Sequence, residues 1–170
     1  MSAREPRARA WPAAVGVEES LSIWGGYGYP TNIQPTTLER FNVCSLTWEH
    51  PRQLNGFLPS GLNNSAITGN GDFYSCGGDT SSGRINTLYK INPCTLLCKE
   101  LLPNSPSHAP QKQEGSRSVY FNSKIVIYGG YTGLGRIGDL HVFDLEKGEY
   151  VSLHYNNVYS SSIPLNPALA

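Results

Sequence analysis

The sequence carries no surplus of either charge: 13 Lys and Arg stand against 13 Asp and Glu. No summed field therefore favours nucleic acid or an anionic membrane surface, and neither is expected as a partner. Charge is scarce altogether, at 15% of residues. No apolar run comes near the roughly 18 residues that a membrane-spanning helix needs. Near the start, Arg4, Arg7 and Arg9 precede "AWPAAVGV", which contains a proline and stops at Glu18-Glu19. That run is too short and too soon broken for the core of a secretory signal, so a cytoplasmic location is expected. The three arginines read as a solvated terminus rather than a binding site. Asn63-Asn64-Ser65 matches a glycosylation acceptor, which means little in that setting.

Catalytic and metal-binding patterns are also lacking. The four cysteines are Cys44, Cys76, Cys94 and Cys98, and the last two form a C-x-x-x-C pair with no second pair and no nearby His. That spacing suits neither zinc nor redox chemistry, and the chain is far larger than a disulfide-stapled miniprotein. No G-x-S-x-G or H-E-x-x-H occurs. The glycine-rich "GYTGLGRIGD" follows a Gly-Gly and leads into a strand, whereas a phosphate cradle opens onto a helix. No metal, no cofactor and no enzyme activity are expected.

Glycine, tyrosine and proline are plentiful instead, at 18, 10 and 12 residues, with 39% of the chain hydrophobic. They are not scattered. "LSIWGG", "FYSCGG" and "IVIYGG" end at Gly26, Gly78 and Gly130, a constant interval of 52 residues. A fixed period of about this size marks a repeat architecture. Aligned on the glycine pairs, "AAVGVEESLSIWGG" (13–26), "SAITGNGDFYSCGG" (65–78) and "RSVYFNSKIVIYGG" (117–130) match without a gap. Val15, Ile67 and Val119 coincide, as do Leu21, Phe73 and Ile125. Between these apolar halves, "GNGD" and "FNSK" place Asn and Gly where positive φ is tolerated, so each window predicts a hairpin of two short strands.

A third strand follows in each unit, at "LERFNV" (38–43), "LYKINP" (88–93) and "LHVFDL" (140–145). It leads through "FNVCSLTW", "INPCTLLC" and "FDLEKGEY" to a fourth. Asn42, Asn92 and Asp144 head these turns, where an Asx side chain accepts hydrogen bonds from the backbone further on. Residues Gly25, Gly26, Gly77, Gly78, Gly129 and Gly130 are expected to supply a sharp turn where each second strand ends. Twelve short strands without a helix, in three units of four, predict a β-propeller. His50, His108, His141 and His154 fall at unrelated positions of the unit, and His141 reads as a structural histidine inside a strand.

These residues resemble the kelch repeat family, whose unit is an apolar hairpin closing on Gly-Gly, then an aromatic, an Asp or Asn and, six residues on, a Trp. Phe41, Asn42 and Trp48 fit in full; Phe143, Asp144 and Tyr150 put Tyr for Trp; Ile91, Asn92 and Cys98 lose both aromatics. The second unit is therefore expected to pack least well. The resemblance implies an all-β fold, a partial kelch-type β-propeller of three four-stranded antiparallel blades that is not closed. Its divisions are a tail at 1–11, blades at 12–50, 63–102 and 115–153, and an outgoing tail at 154–170. Closed propellers have about four to eight blades, so further blades, or a homo-oligomer in which two copies supply six, would complete it. The resemblance further implies a protein-interaction module acting through inter-strand loops. Tyr27, Tyr29, Arg84, Tyr131 and Arg136 are the candidate contacts, of types enriched at interface hot spots. Arg84 and Arg136 have an alternative reading as braces between blades. The alternative function is a fragment of a galactose-oxidase-like enzyme, which would need a Cys-linked Tyr and a His pair that no spacing here singles out.

Overall fold

A computed structural model of the protein describes residues 5–28, 37–56 and 66–151. Tyr29, the glycosylation acceptor at 63–65 and the outgoing tail at 154–170 lie outside the described residues. The described residues hold strands and turns and no helix. In chain order the first strands are β1 (Arg9–Ala10), β2 (Ala13–Val17), β3 (Ser20–Trp24), β4 (Tyr27–Gly28), β5 (Thr37–Asn42), β6 (Thr47–Trp48) and β7 (Arg52–Gln53), of which β2, β3, β5, β6 and β7 make the N-terminal sheet and β1 and β4 a separate two-stranded one. The middle sheet uses β8 (Asn55–Gly56), β9 (Ala66–Gly69), β10 (Asp72–Thr80), β11 (Gly83–Asn92) and β12 (Leu97–Leu101), and the C-terminal sheet β13 (Arg117–Phe121), β14 (Lys124–Tyr131), β15 (Arg136–Asp144) and β16 (Glu149–Val151). The three larger sheets are built on antiparallel meanders, and β9 lies beside both β2 and β13.

Two departures from four strands have local causes. In the N-terminal sheet, β6 and β7 both pair with β5, and between them lies Pro51, which has no N–H to give the ladder. In the middle sheet, β8 adds to β12 as a fifth, parallel strand drawn from the preceding connection. The segment read as an N-terminal tail also contributes: β1 pairs with β4, and Arg9, read as part of a solvated terminus, is buried against Glu39 at 3.3 Å.

The hairpin turns follow the sequence. Asn70-Gly71 and Asn122-Ser123 take positive φ at both positions between the register pairs Asp72↔Gly69 and Phe121↔Lys124. The glycine pairs require a correction. All six have positive φ, but in the middle and C-terminal sheets the strand does not end there: β10 and β14 run through them with a bulge at the first glycine, and resume pairing at Gly78↔Ile85 and Gly130↔Ile137. The bulge turns the Gly78 amide away from its own ladder to the carbonyl of Gln113, at 2.7 Å, in the connection to the next sheet.

Two cores lie between the sheets. Val15, Trp24 and Leu38 of the N-terminal sheet meet Phe73, Tyr89, Ile91 and Cys98 of the middle sheet. Tyr74, Cys76 and Leu88, on the other face of that sheet, meet Ile125, Ile127, Phe143 and Tyr150 of the C-terminal sheet. Accordingly β10 is buried on both faces from Asp72 to Gly78, whereas β3 and β14 alternate. The middle unit, expected to pack least well, has Ile91 and Cys98 fully covered, while Phe41 and Trp48 of the best-matching unit are half-buried. A neighbour on each side decides packing here, not the aromatic content of the motif.

The Asx turns form as expected. Asn42 Oδ1 accepts from the Ser45 amide and Asn92 Oδ1 from the Thr95 amide, each at 2.8 Å, and Asp144 Oδ1 accepts from Glu146 and Lys147. Asp144 adds a 3.0 Å ion pair with Lys124. That hydrogen bond, then the Lys147 amide, holds its carboxyl below the ordinary 3.8. A depressed folded-state value contributes stability that is present above the ordinary value and lost as pH falls through the lower one. Asp144→Asn should keep the turn, as Asn42 and Asn92 do, and flatten the acid limb. Thermal midpoints between about pH 2 and 6 should show the wild-type advantage shrinking towards acid; a constant difference would exclude this role.

Candidate interaction surface

The rim after the glycine bulges is built from one repeat position used three times: Tyr27, Asp79 and Tyr131 each follow the second glycine. Tyr27 Oη donates to Asp79 Oδ2 at 2.9 Å, joining the two-stranded β1–β4 sheet to the middle sheet. Burial, and then that carboxylate, push the Tyr27 hydroxyl up to about 12. Asp79 is the cross-strand partner of Arg84. Arg84 in turn donates from Nε and Nη2 to Glu114 Oε1, at 3.0 and 2.7 Å, with its guanidinium 5.0 Å from the centre of the Tyr131 ring. Glu114 and Tyr131 exchange backbone hydrogen bonds of 3.0 and 2.8 Å, so the connection is stitched to β14 where Arg84 lands. A hydrogen-bonded and stacked chain thus links the two-stranded sheet, the middle sheet and the C-terminal sheet.

Beside it opens a cleft of about 950 Å³, lined by Trp11 and Tyr27 on one side and by Arg117, Tyr128, Tyr131 and Arg136 on the other. Trp11 stands edge-on to Tyr27 with ring centres 6.2 Å apart, and is 67% exposed. Tyr128 and Tyr131 are also exposed, at 57% and 40%. Arg117 reaches only the Ser116 carbonyl, at 3.4 Å, and neither it nor Arg136 has an ion pair among the described residues. Two guanidinium groups without an ion pair among the described residues therefore line the cleft with four aromatic rings, while Glu114, the one carboxylate of its lining, is held by Arg84.

Of the residues singled out from the sequence, Tyr27, Tyr131 and Arg136 meet in this cleft. Arg84 is a brace, with both functions of its side chain taken up by Glu114 and Tyr131. Its repeat equivalent Arg136 is exposed and is no brace, so equal position gave unequal roles. Tyr29 lies outside the described residues. Trp11, Arg117 and Tyr128 went unseen. Tyr128 occupies the place of Trp24 and Cys76, which are buried, and nothing in a periodic pattern marks the last unit as uncovered.

The described residues contain no cluster of three or more His, Cys, Asp or Glu side chains. One cysteine does meet a tyrosine: Cys76 and Tyr150 share a hydrogen bond in the second core, where burial pushes the thiol up to about 12 and raises the phenol too. Both stay protonated at neutral pH. His141 Nδ1 sits 3.0 Å from the His108 carbonyl oxygen, tying β15 to the connection in line with its structural reading.

Consecutive antiparallel meanders, face against face, with glycine bulges along one rim, define a β-propeller-like repeat protein. A family model described as the KLHDC2/KLHL20/DRC7 Kelch-repeats domain matches residues 3–163, and the chain belongs to the kelch-repeat family. It is 26% identical over 168 residues to Kelch domain-containing protein 10 of Bos taurus and of Homo sapiens. Each match covers 91% of this chain and 38% of the relative, so the chain spans well under half the length of these relatives.

Proposed function

We propose that the three larger sheets are consecutive blades of an incomplete kelch propeller, and that the chain is a non-catalytic adaptor or scaffold module that holds a partner protein in the cytoplasm. The observation that carries this reading is the pair Arg117 and Arg136, which line an aromatic cleft and have no ion pair among the described residues. A guanidinium fork fits a carboxylate in two parallel hydrogen bonds, and exposed Trp and Tyr offer rigid, amphipathic contact area. The matching feature is an extended segment of a partner protein that places an Asp or Glu side chain next to an aromatic or bulky apolar one. Kelch units support this by holding such rim residues on a stiff sheet scaffold.

Selection from a displayed random-peptide library should enrich that pairing. The double variant Arg117→Glu, Arg136→Glu should weaken the enriched peptides by about tenfold or more, since a hydrogen bond to a charged group is worth roughly 1.5–3 kcal/mol. Enrichment without acidic residues, or binding that the double variant leaves unchanged, overturns the reading.

A further inference from the structure

We infer that Trp11 is the specificity-determining residue of the cleft, where it takes an aromatic side chain of the bound segment, and that the strap 9–12 holds it in a strained conformation for this contact; the inference rests on the interaction reading. Trp11 has φ +50. A bulky residue enters the left-handed region only under constraint, and the residue before a proline is pushed towards extended conformations, so Trp11 ahead of Pro12 is disfavoured on both counts. Burial does not compensate, because the side chain is 67% exposed. Strained residues persist where their surroundings over-determine them, and they cluster at ligand clamps.

The repeat shows that the bend belongs to the fold and the tryptophan does not. Ala10 pairs with Tyr27 where Glu114 pairs with Tyr131, so the residue after each is equivalent: Trp11 in the strap and Gly115 in the connection before β13. Gly115 has φ +69, and a Cβ added there would meet nothing within 4 Å. Both positions line the cleft. One unit makes the turn with the residue suited to it, and the other makes the same turn with a large ring. The backbone beside Trp11 is fixed on both sides. Arg9 is held by Glu39 and by the Gly25 carbonyl, each at 3.3 Å, and at Gly26 an added Cβ would stand 2.6 Å from the Ala10 carbonyl oxygen and 3.0 Å from Pro12 Cα.

The chemistry of the cleft selects what Trp11 meets. Its ring stands at 89° to that of Tyr27, a geometry that leaves ring faces open, and aromatic rings pack on such faces with an energy beyond their area. A basic side chain, which a tryptophan face also attracts, is opposed by Arg117 and Arg136 in the same cleft. Those two draw an acidic side chain instead. Trp11 and Tyr27 line one side and the two arginines the other. Successive side chains of an extended segment point to opposite sides, so the aromatic and the acidic residue are adjacent in the partner's sequence.

The displayed random-peptide library should be selected in parallel on the purified full chain and on its Trp11→Gly variant. The wild type should enrich an aromatic residue directly beside an acidic one, and the variant should keep the acidic preference and lose the aromatic one. Peptides selected on the wild type should bind Trp11→Gly about tenfold more weakly, and Trp11→Phe within about threefold of wild type. The thermal midpoint of Trp11→Gly should equal or exceed that of the wild type, since glycine meets this bend without strain. An aromatic preference that survives in Trp11→Gly overturns the inference and leaves the interaction reading standing. A midpoint several degrees below wild type makes Trp11 a structural residue and also overturns the inference. A Trp11-dependent aromatic preference without any acidic one sinks the arginine reading alone, and no enrichment by either protein sinks both.

Discussion

Phe143→Ala should lower the unfolding free energy by about 3–5 kcal/mol, a large fraction of the roughly 5–15 kcal/mol typical of a folded protein. Phe143 is 2% exposed, stands edge-on to Tyr150, and fills the core between the middle and C-terminal sheets with Tyr74, Leu88, Ile125 and Ile127. Truncation leaves a cavity walled by two sheets whose ladders keep them from collapsing into it. Phe41→Ala is the internal control. It removes the same ring from the same repeat position, but that ring is half-buried among the described residues, so its cost should stay below about 2 kcal/mol. Both should be measured by urea unfolding, with the midpoint and the slope compared. Equal losses would mean that the two faces are covered alike, and the stacking order of the sheets would be wrong.

That contrast also measures what a sequence conveys and what it withholds. The period of 52, the hairpin turns at Asn70-Gly71 and Asn122-Ser123, and the Asx turns at Asn42, Asn92 and Asp144 were all legible, because each is a local conformational demand that particular residues meet. Burial was not. Ile91 and Phe41 hold equivalent positions, and the weaker match to the motif is the better covered because it has a neighbour. The rim shows the same limit. Arg84 and Arg136 are indistinguishable along the chain, yet only Arg84 has a following Tyr and Glu within reach. Arg9 was read as solvated for want of any local sign of Glu39, which lies 30 residues on and reaches it only through the fold. Pairwise contacts between units depend on which units lie face to face, and a repeat pattern is silent on that.

Gly77→Ala should be strongly damaging, and the size of its effect separates two roles that glycine plays here. Gly77 has φ +71, which an L-residue adopts at a cost of roughly 1–2 kcal/mol. An added Cβ would also stand 2.7 Å from the Gln113 carbonyl oxygen, a backbone atom that cannot swing aside. That oxygen accepts the Gly78 amide at 2.7 Å, and the Gln113 amide donates to Ile85 at 3.0 Å, so displacing it breaks the stitch between the middle sheet and the connection that leads to the next. The loss should reach about 3–4 kcal/mol once the unpaired backbone groups are added. Gly71→Ala supplies the conformational cost alone, with φ +77 and nothing within 4 Å of the new methyl, and should cost about 1 kcal/mol. Gly16→Ala meets nothing within 4 Å at an ordinary φ and should be neutral or slightly stabilising. Amide exchange gives a second readout: protection at Gly78 and Gln113 should fall sharply in Gly77→Ala and hold in Gly71→Ala. If the two variants lose equal stability and the Gly78 amide stays protected, the bulge serves only to turn the strand, and the connection is held by something other than the space the glycine leaves.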